Sequence, residues 1–140
     1  MLWKDKYKLG VPEIDAQHRE LFDRVEAFIQ DLRADVVWEE KVCRVNETMA
    51  FMRDYVVVHF RDEEACQLRV GFPGYEAHKQ SHQGMADYVA EISEQCAKNS
   101  CDEQLAQQFA GRLMAWLINH VAAEDQQIAD YITKLESEQP

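Results

Sequence analysis

The sequence predicts an all-α fold, an up-down-up-down antiparallel four-helix bundle with an N-terminal arm. Three observations carry that expectation. Strand signals are nearly absent, and the β-branched run Val56-Val57-Val58 lies inside a longer helical pattern that overrides it. Apolar residues recur three and four positions apart over four long segments. The breaks between those segments are short, and long helices joined by short loops pack as antiparallel neighbours.

The arm, residues 1–12, contains Trp3, Tyr7 and Leu9 and is expected to lie on the bundle surface. The first helix is expected at about 13–32: Pro12 suits a first turn, and Asp15 places negative charge near the helix start. Its apolar face carries His18, Leu21, Phe22, Val25, Phe28, Ile29 and Leu32. The second is expected at about 39–68, with the stripe Val45, Met49, Met52, Val56, His59, Glu63, Cys66. Gly71-Phe72-Pro73-Gly74 breaks it from the third, at about 75–96, whose stripe is His78, His82, Met85, Val89, Ile92, Cys96. The fourth is expected at about 100–135, where Ser100 and Glu103 fit a capping box. Leu105, Phe109, Leu113, Trp116, Leu117, His120, Val121 and Ile128 share its face. Residues 1–140 therefore read as one domain, a length at which a single core suffices without covalent staples.

The formal net charge of −11 disfavours phosphate backbones and anionic lipid surfaces, so neither nucleic acid nor membrane is expected as a partner. No apolar run approaches the ~20 residues of a membrane span. Met1-Leu2-Trp3-Lys4-Asp5-Lys6 is not followed by the apolar stretch of a signal peptide, and a cytoplasmic location is expected. None of the cysteines at 43, 66, 96 and 101 forms a Cys-x-x-Cys pair, and reduced thiols are the expectation. Cys66 and Cys96, on apolar stripes, read as small core residues.

All five histidines fall on the inward stripes. Five neutral imidazoles in one small core would each need a hydrogen-bond partner, and few buried polar groups are available to them. A shared metal centre satisfies all of them together. His59 and Glu63 are four residues apart and project from one helical face, and His78 and His82 repeat that spacing. His18 and His120 come from the first and fourth helices, so every helix offers an inward ligand. Structural zinc would take four ligands, and calcium or magnesium would want oxygen donors. Five imidazoles with carboxylates exceed one ion and suit two borderline ions such as iron. No Glu-x-x-His motif of the ferritin-like di-iron proteins is present.

Ile14-Asp15-Ala16-Gln17-His18, His59-Phe60-Arg61-Asp62-Glu63-Glu64, His78-Lys79-Gln80-Ser81-His82 and Trp116-Leu117-Ile118-Asn119-His120 with Asp125 resemble the hemerythrins, above all the stand-alone bacterial ones. The resemblance runs from about Trp3 to Ile132. It implies that His78, His82 and His120 hold one iron and His18 and His59 the other. Glu63, Asp125 and an oxo or hydroxo group would bridge them. The two-histidine iron would keep an open position for dioxygen, flanked by Leu21, Phe60, Trp116, Leu117 and Val121. Helical spacing and the family pattern disagree at one point. On a regular helix Glu124 lies about 40° round the axis from His120 and Asp125 about 140°. Spacing favours Glu124 and the family pattern Asp125; Asp125 is the expected ligand, with Glu124 as the geometric alternative. Glu64 is expected to be solvated or to stand behind a ligand.

The implied function is reversible oxygen binding for storage, delivery or scavenging. The alternatives are an oxygen or redox sensing module acting through a partner protein, and a di-iron enzyme handling peroxide or nitric oxide. An enzyme is not the expectation, because no substrate motif, phosphate loop or nucleophile with an adjacent base stands out.

Overall fold

A computed structural model describes residues 3–99 and 101–138, Asn99 by its backbone alone. Four helical rods form an antiparallel bundle, and no strand occurs among the described residues. The rods are α1 (Pro12–Arg33), α2 (Trp38–Val70), α3 (Tyr75–Asn99) and a fourth built of three pieces. Those pieces are α4 (Glu103–Asn119), a π-helical turn (His120–Glu124) and α5 (Asp125–Ser137). α2 packs on α1 and α3, and α1 packs on α4.

The ends of the rods follow from local chemistry. Pro12 opens α1, where its missing N–H costs nothing. Gly71 ends α2 in the left-handed region at φ 70°, where a side chain would be strained. The amides of Gly71 and Phe72 then bond back to Leu68 O and Gln67 O at 3.2 and 2.9 Å, satisfying carbonyls that the helix leaves open. Ser100, expected in a capping box, lies outside the described residues. The cap of α4 is Asp102, whose carboxylate accepts from the Leu105 amide at 2.7 Å.

Two expectations are corrected. The arm does not lie on the surface. A short 3-10 turn (Asp5–Tyr7) sets Trp3, Tyr7 and Leu9 into the core at 7–8% exposure. Tyr7 stacks on Phe22 with ring centres 5.5 Å apart, and Trp3 meets the same ring edge-on. Asp15 is the anchor: its carboxylate accepts from the amides of Leu9 and Gly10 at 2.7 and 3.2 Å. Cys96 and Cys101 are joined by a disulfide instead of being free thiols. Cys96, near the end of α3, and Cys101, just before α4, have Cα atoms 4.0 Å apart, a pairing that stripe position alone does not reveal. Cys66 is buried and Cys43 exposed, both free. No helix of the described residues is long and apolar enough to cross a membrane.

Candidate metal centre

Each rod delivers part of one buried cluster. α1 supplies His18, α2 His59 and Glu63, and α3 His78 and His82. The π-helical turn begins with His120, and Asp125 follows it. All seven are buried, at 0–5% exposure. The seven side chains expected from the sequence to carry the site thus converge on one region.

The contacts divide by oxygen atom. Glu63 Oε2 lies 2.9 Å from His18 Nε2 and 3.2 Å from His59 Nε2. Glu63 Oε1 lies 2.9, 3.2 and 3.3 Å from Nε2 of His78, His82 and His120. Asp125 repeats the division: Oδ2 faces His18 at 3.0 Å, while Oδ1 faces His78 and His120 at 2.7 and 3.2 Å. Each carboxylate therefore presents one oxygen to a two-histidine side and the other to a three-histidine side.

Protons alone satisfy this arrangement poorly. Five imidazole nitrogens crowd a carboxylate that offers about four lone-pair directions. His82 Nε2 and His120 Nε2 lie 3.1 Å apart. His59 Nε2 and Asp125 Oδ2 are buried without a well-directed hydrogen bond. Outside the cluster, Gln17 Oε1 stands 2.8 Å from His59 Nδ1, and the Glu64 carboxylate 2.8 Å from His82 Nδ1. Those acceptors require N–H on Nδ1, which turns the Nε2 lone pair of His59 and His82 inward. Lone pairs aimed at one another in a dry interior call for a cation between them. Two sets of donor atoms come close enough to share one: Glu63, His78, His82, His120 and Asp125; and His18, His59, Glu63 and His120. The imidazole-rich donor set fits borderline ions such as iron, and the residues present fit the group that the sequence implies.

The π-helical turn removes the conflict between Glu124 and Asp125. The Asp125 amide donates to His120 O, five residues back, instead of four. One extra residue in the turn brings Asp125 to the place that a fourth residue holds on a regular helix. Asp125, buried completely, therefore faces the cluster. Glu124 is directed behind the ring, 3.5 Å from His120 Nδ1.

Charge in the metal-free site follows from burial working against the carboxylates. Burial alone would lower His18, His78 and His120. The hydrogen bonds and charges of Asp125 and Glu63, with Glu124 at His120, outweigh it and hold His18 and His78 at about 9 and His120 at about 10. Burial prevails at His59 and lowers it. Burial would raise Glu63, but its imidazole partners hold the carboxyl well below its ordinary value. Protons thus occupy the metal-free cluster as substitute cations.

Of the expected flanking residues, Leu21, Leu117 and Val121 are buried at 2% exposure or less. Phe60 stacks on His82 with ring centres 4.1 Å apart, and Trp116 on His120 at 4.4 Å. Those two aromatics thus wall the three-histidine side, and not, as expected from the sequence, the open position on the two-histidine side. The contact pattern of the sequence stripes did not single out Gln17 or Asp62, which hold His59 from behind. The only signal is that Gln17 precedes His18 and Asp62 precedes Glu63, so both sit at the edge of the inward face.

Fold and donor set together define a metal-binding four-helix bundle protein. The family model described as Hemerythrin HHE cation binding domain matches residues 9–132, and the chain belongs to the hemerythrin family. It is similar to a bacteriohemerythrin of Stenotrophomonas maltophilia, 26% identical over 132 residues, which covers 94% of this chain and 81% of that one. A bacteriohemerythrin of Clostridium acetobutylicum is 22% identical over 92% of this chain and 98% of its own. Hemerythrin subunit alpha of Lingula reevii is 24% identical over 88% of this chain and 87% of its own. A crystal structure of wild-type hemerythrin superposes with a TM-score of 0.79 at 22% identity, over 93% of this chain and 95% of that one. That likeness bears on the fold.

Proposed function

We propose that this protein binds dioxygen reversibly at a non-haem di-iron centre, for storage, delivery or scavenging of oxygen. The observation that carries the reading is the division of each carboxylate by oxygen atom, Glu63 between two and three histidines and Asp125 between one and two. His78, His82 and His120 would hold one iron and His18 and His59 the other, with Glu63, Asp125 and an oxo or hydroxo group as bridges. Two ferrous ions so held would supply the electrons that oxygen binding draws on.

The chain's own residues shape that chemistry. Glu63 and Asp125 place opposite charge midway between two cations and reduce their repulsion. The smaller histidine set leaves the His18–His59 side one protein donor short, so a metal there would keep a coordination position for a ligand. Leu21, Leu117 and Val121 exclude water and offer no proton to a bound anion. That favours release of the ligand as it came over its conversion.

The test is the visible spectrum of iron-loaded protein, reduced under argon, exposed to oxygen and then evacuated. A band that appears and disappears over repeated cycles, with two irons per chain by elemental analysis, is the expected result. One metal per chain, or mostly zinc, removes the di-iron centre. Irreversible bleaching, or turnover with peroxide or nitric oxide, removes reversible carriage.

A further inference from the structure

The histidines turn Nε2 inward, but their outward nitrogens do not meet the same surroundings. Behind His82 stands Glu64, 2.8 Å from Nδ1; both line a cleft of about 270 Å3 between α2 and α3. Behind His120 stands Glu124, 3.5 Å from Nδ1, an ion-pair contact without a well-directed hydrogen bond. Behind His59 stands a neutral amide, Gln17, at 2.8 Å. That amide is aimed by Asp62, which accepts from Gln17 Nε2 at 2.8 Å. His18 Nδ1 is buried without a hydrogen-bond partner. Both anions in direct contact with an outward nitrogen therefore stand on the three-histidine side.

A carboxylate accepting the outer N–H of an imidazole fixes its tautomer and raises the donor strength of the opposite nitrogen. A neutral amide fixes the ring and adds no charge. We propose that Glu64, through its hydrogen bond to His82, and Glu124, through its nearby charge alone, make the three-histidine position the tighter and more ferric-favouring of the two, while Gln17, aimed by Asp62, only orients His59 at the other. The two positions then fill in order, the three-histidine one first. This inference rests on the two-metal reading above, and it assigns Glu64, Glu124, Gln17 and Asp62 as positioning residues that act through the ligands.

The experiment is a titration of the metal-stripped full chain with cobalt(II), followed by visible absorption. The unmodified protein is expected to take up two equivalents in two resolved steps. Glu64→Gln keeps an acceptor and removes the charge; it should weaken the first step by about 10–100-fold and leave the second in place. Glu124→Gln should act in the same direction and less, because its contact is longer. The paired exchange Gln17→Glu with Asp62→Gln moves the charge directly behind His59 and should tighten the second step. In the iron-loaded protein Glu64→Gln should also raise the ferric/ferrous midpoint. Circular dichroism of each metal-free variant checks that the helices remain. Equal weakening of both steps by Glu64→Gln, or of neither, overturns the proposal, as does an exchange variant with an unchanged second step. If Glu64→Gln does not fold, Glu124→Gln and the exchange decide by the same criteria. An unmodified protein that binds one cobalt ion defeats the two-metal reading itself, so the two failures are distinguishable.

Discussion

At the scale of the residue, one group of atoms serves protons and metal in turn. His18 and His78 at about 9 and His120 at about 10 stand above the ~6.5 of a free imidazole. A pKa raised in the folded state stabilises the metal-free fold fully below about 6.5, and that stabilisation is lost as pH rises through about 9–10. His59, lowered by burial, is neutral throughout this window and does not change the sign. Ligation needs the same nitrogens bare, so metal uptake releases protons and tightens over the same interval. The melting temperature of metal-stripped protein is therefore expected to fall between pH 7 and pH 10, while cobalt affinity rises. Flat profiles in both would show that the carboxylates do not retain protons on these rings. Asp125 and Glu124 make the second prediction at this scale. Asp125→Ala removes a buried carboxylate that meets both histidine groups, and metal content should collapse. Glu124→Ala removes only a contact behind His120 and should leave two metals bound. Elemental analysis of the purified variants gives the ranking, and the reverse order would mean that Glu124 is the ligand.

At the scale of the element, the π-helical turn decides which acidic residue faces inward. A regular α-helix places the fourth residue after His120 on its face; the π turn places the fifth there. Deleting Ala123 would make Asp125 the fourth residue, so a regular helix could put it in the place it already occupies. The rest of α5, including buried Ile128, would keep its register. The Ala123 deletion is therefore expected to fold and to retain two metals. Deleting Ala129, beyond the turn, leaves Asp125 in place but rotates Asp130, Tyr131 and the residues after them. It should lower the melting temperature without removing metal. Metal analysis and thermal melts of the two deletions check this, and loss of metal from a folded Ala123 deletion would show that the turn does more than set register.

At the scale of the whole molecule, the arm belongs to the core. Trp3 and Tyr7 close over Phe22, which lies one turn beyond His18. Gln126, next to Asp125, donates from Nε2 to Tyr7 O at 3.0 Å and to Val121 O of the π turn at 3.3 Å. Tyr7→Ala is expected to cost about 3–5 kcal/mol, the range of buried aromatic truncations. Urea denaturation of the metal-free protein measures it. A loss below ~0.5 kcal/mol would return the arm to the surface, where substitutions cost little.

Much of this was legible in the order of the residues. Helix count, the inward stripes, His59 with Glu63 and His78 with His82 are consequences of a period that sequence displays directly. The convergence of all five histidines followed from their places on those stripes. Tertiary structure decided the remainder, in each case through an interaction between distant or competing groups. Asp125, expected from the resemblance but not from helical spacing, faces inward because a local π turn changes the helical period, and no propensity pattern marks that turn. The arm went inside because Phe22 and Asp15 offered an aromatic face and a carboxylate that only the folded helix presents. Cys96 met Cys101 where α3 ends and α4 begins. The division of Glu63 between two and three imidazoles, and of Asp125 between one and two, required four rods at fixed azimuth. A one-dimensional pattern fixes which face points inward; only packing fixes which atom meets which.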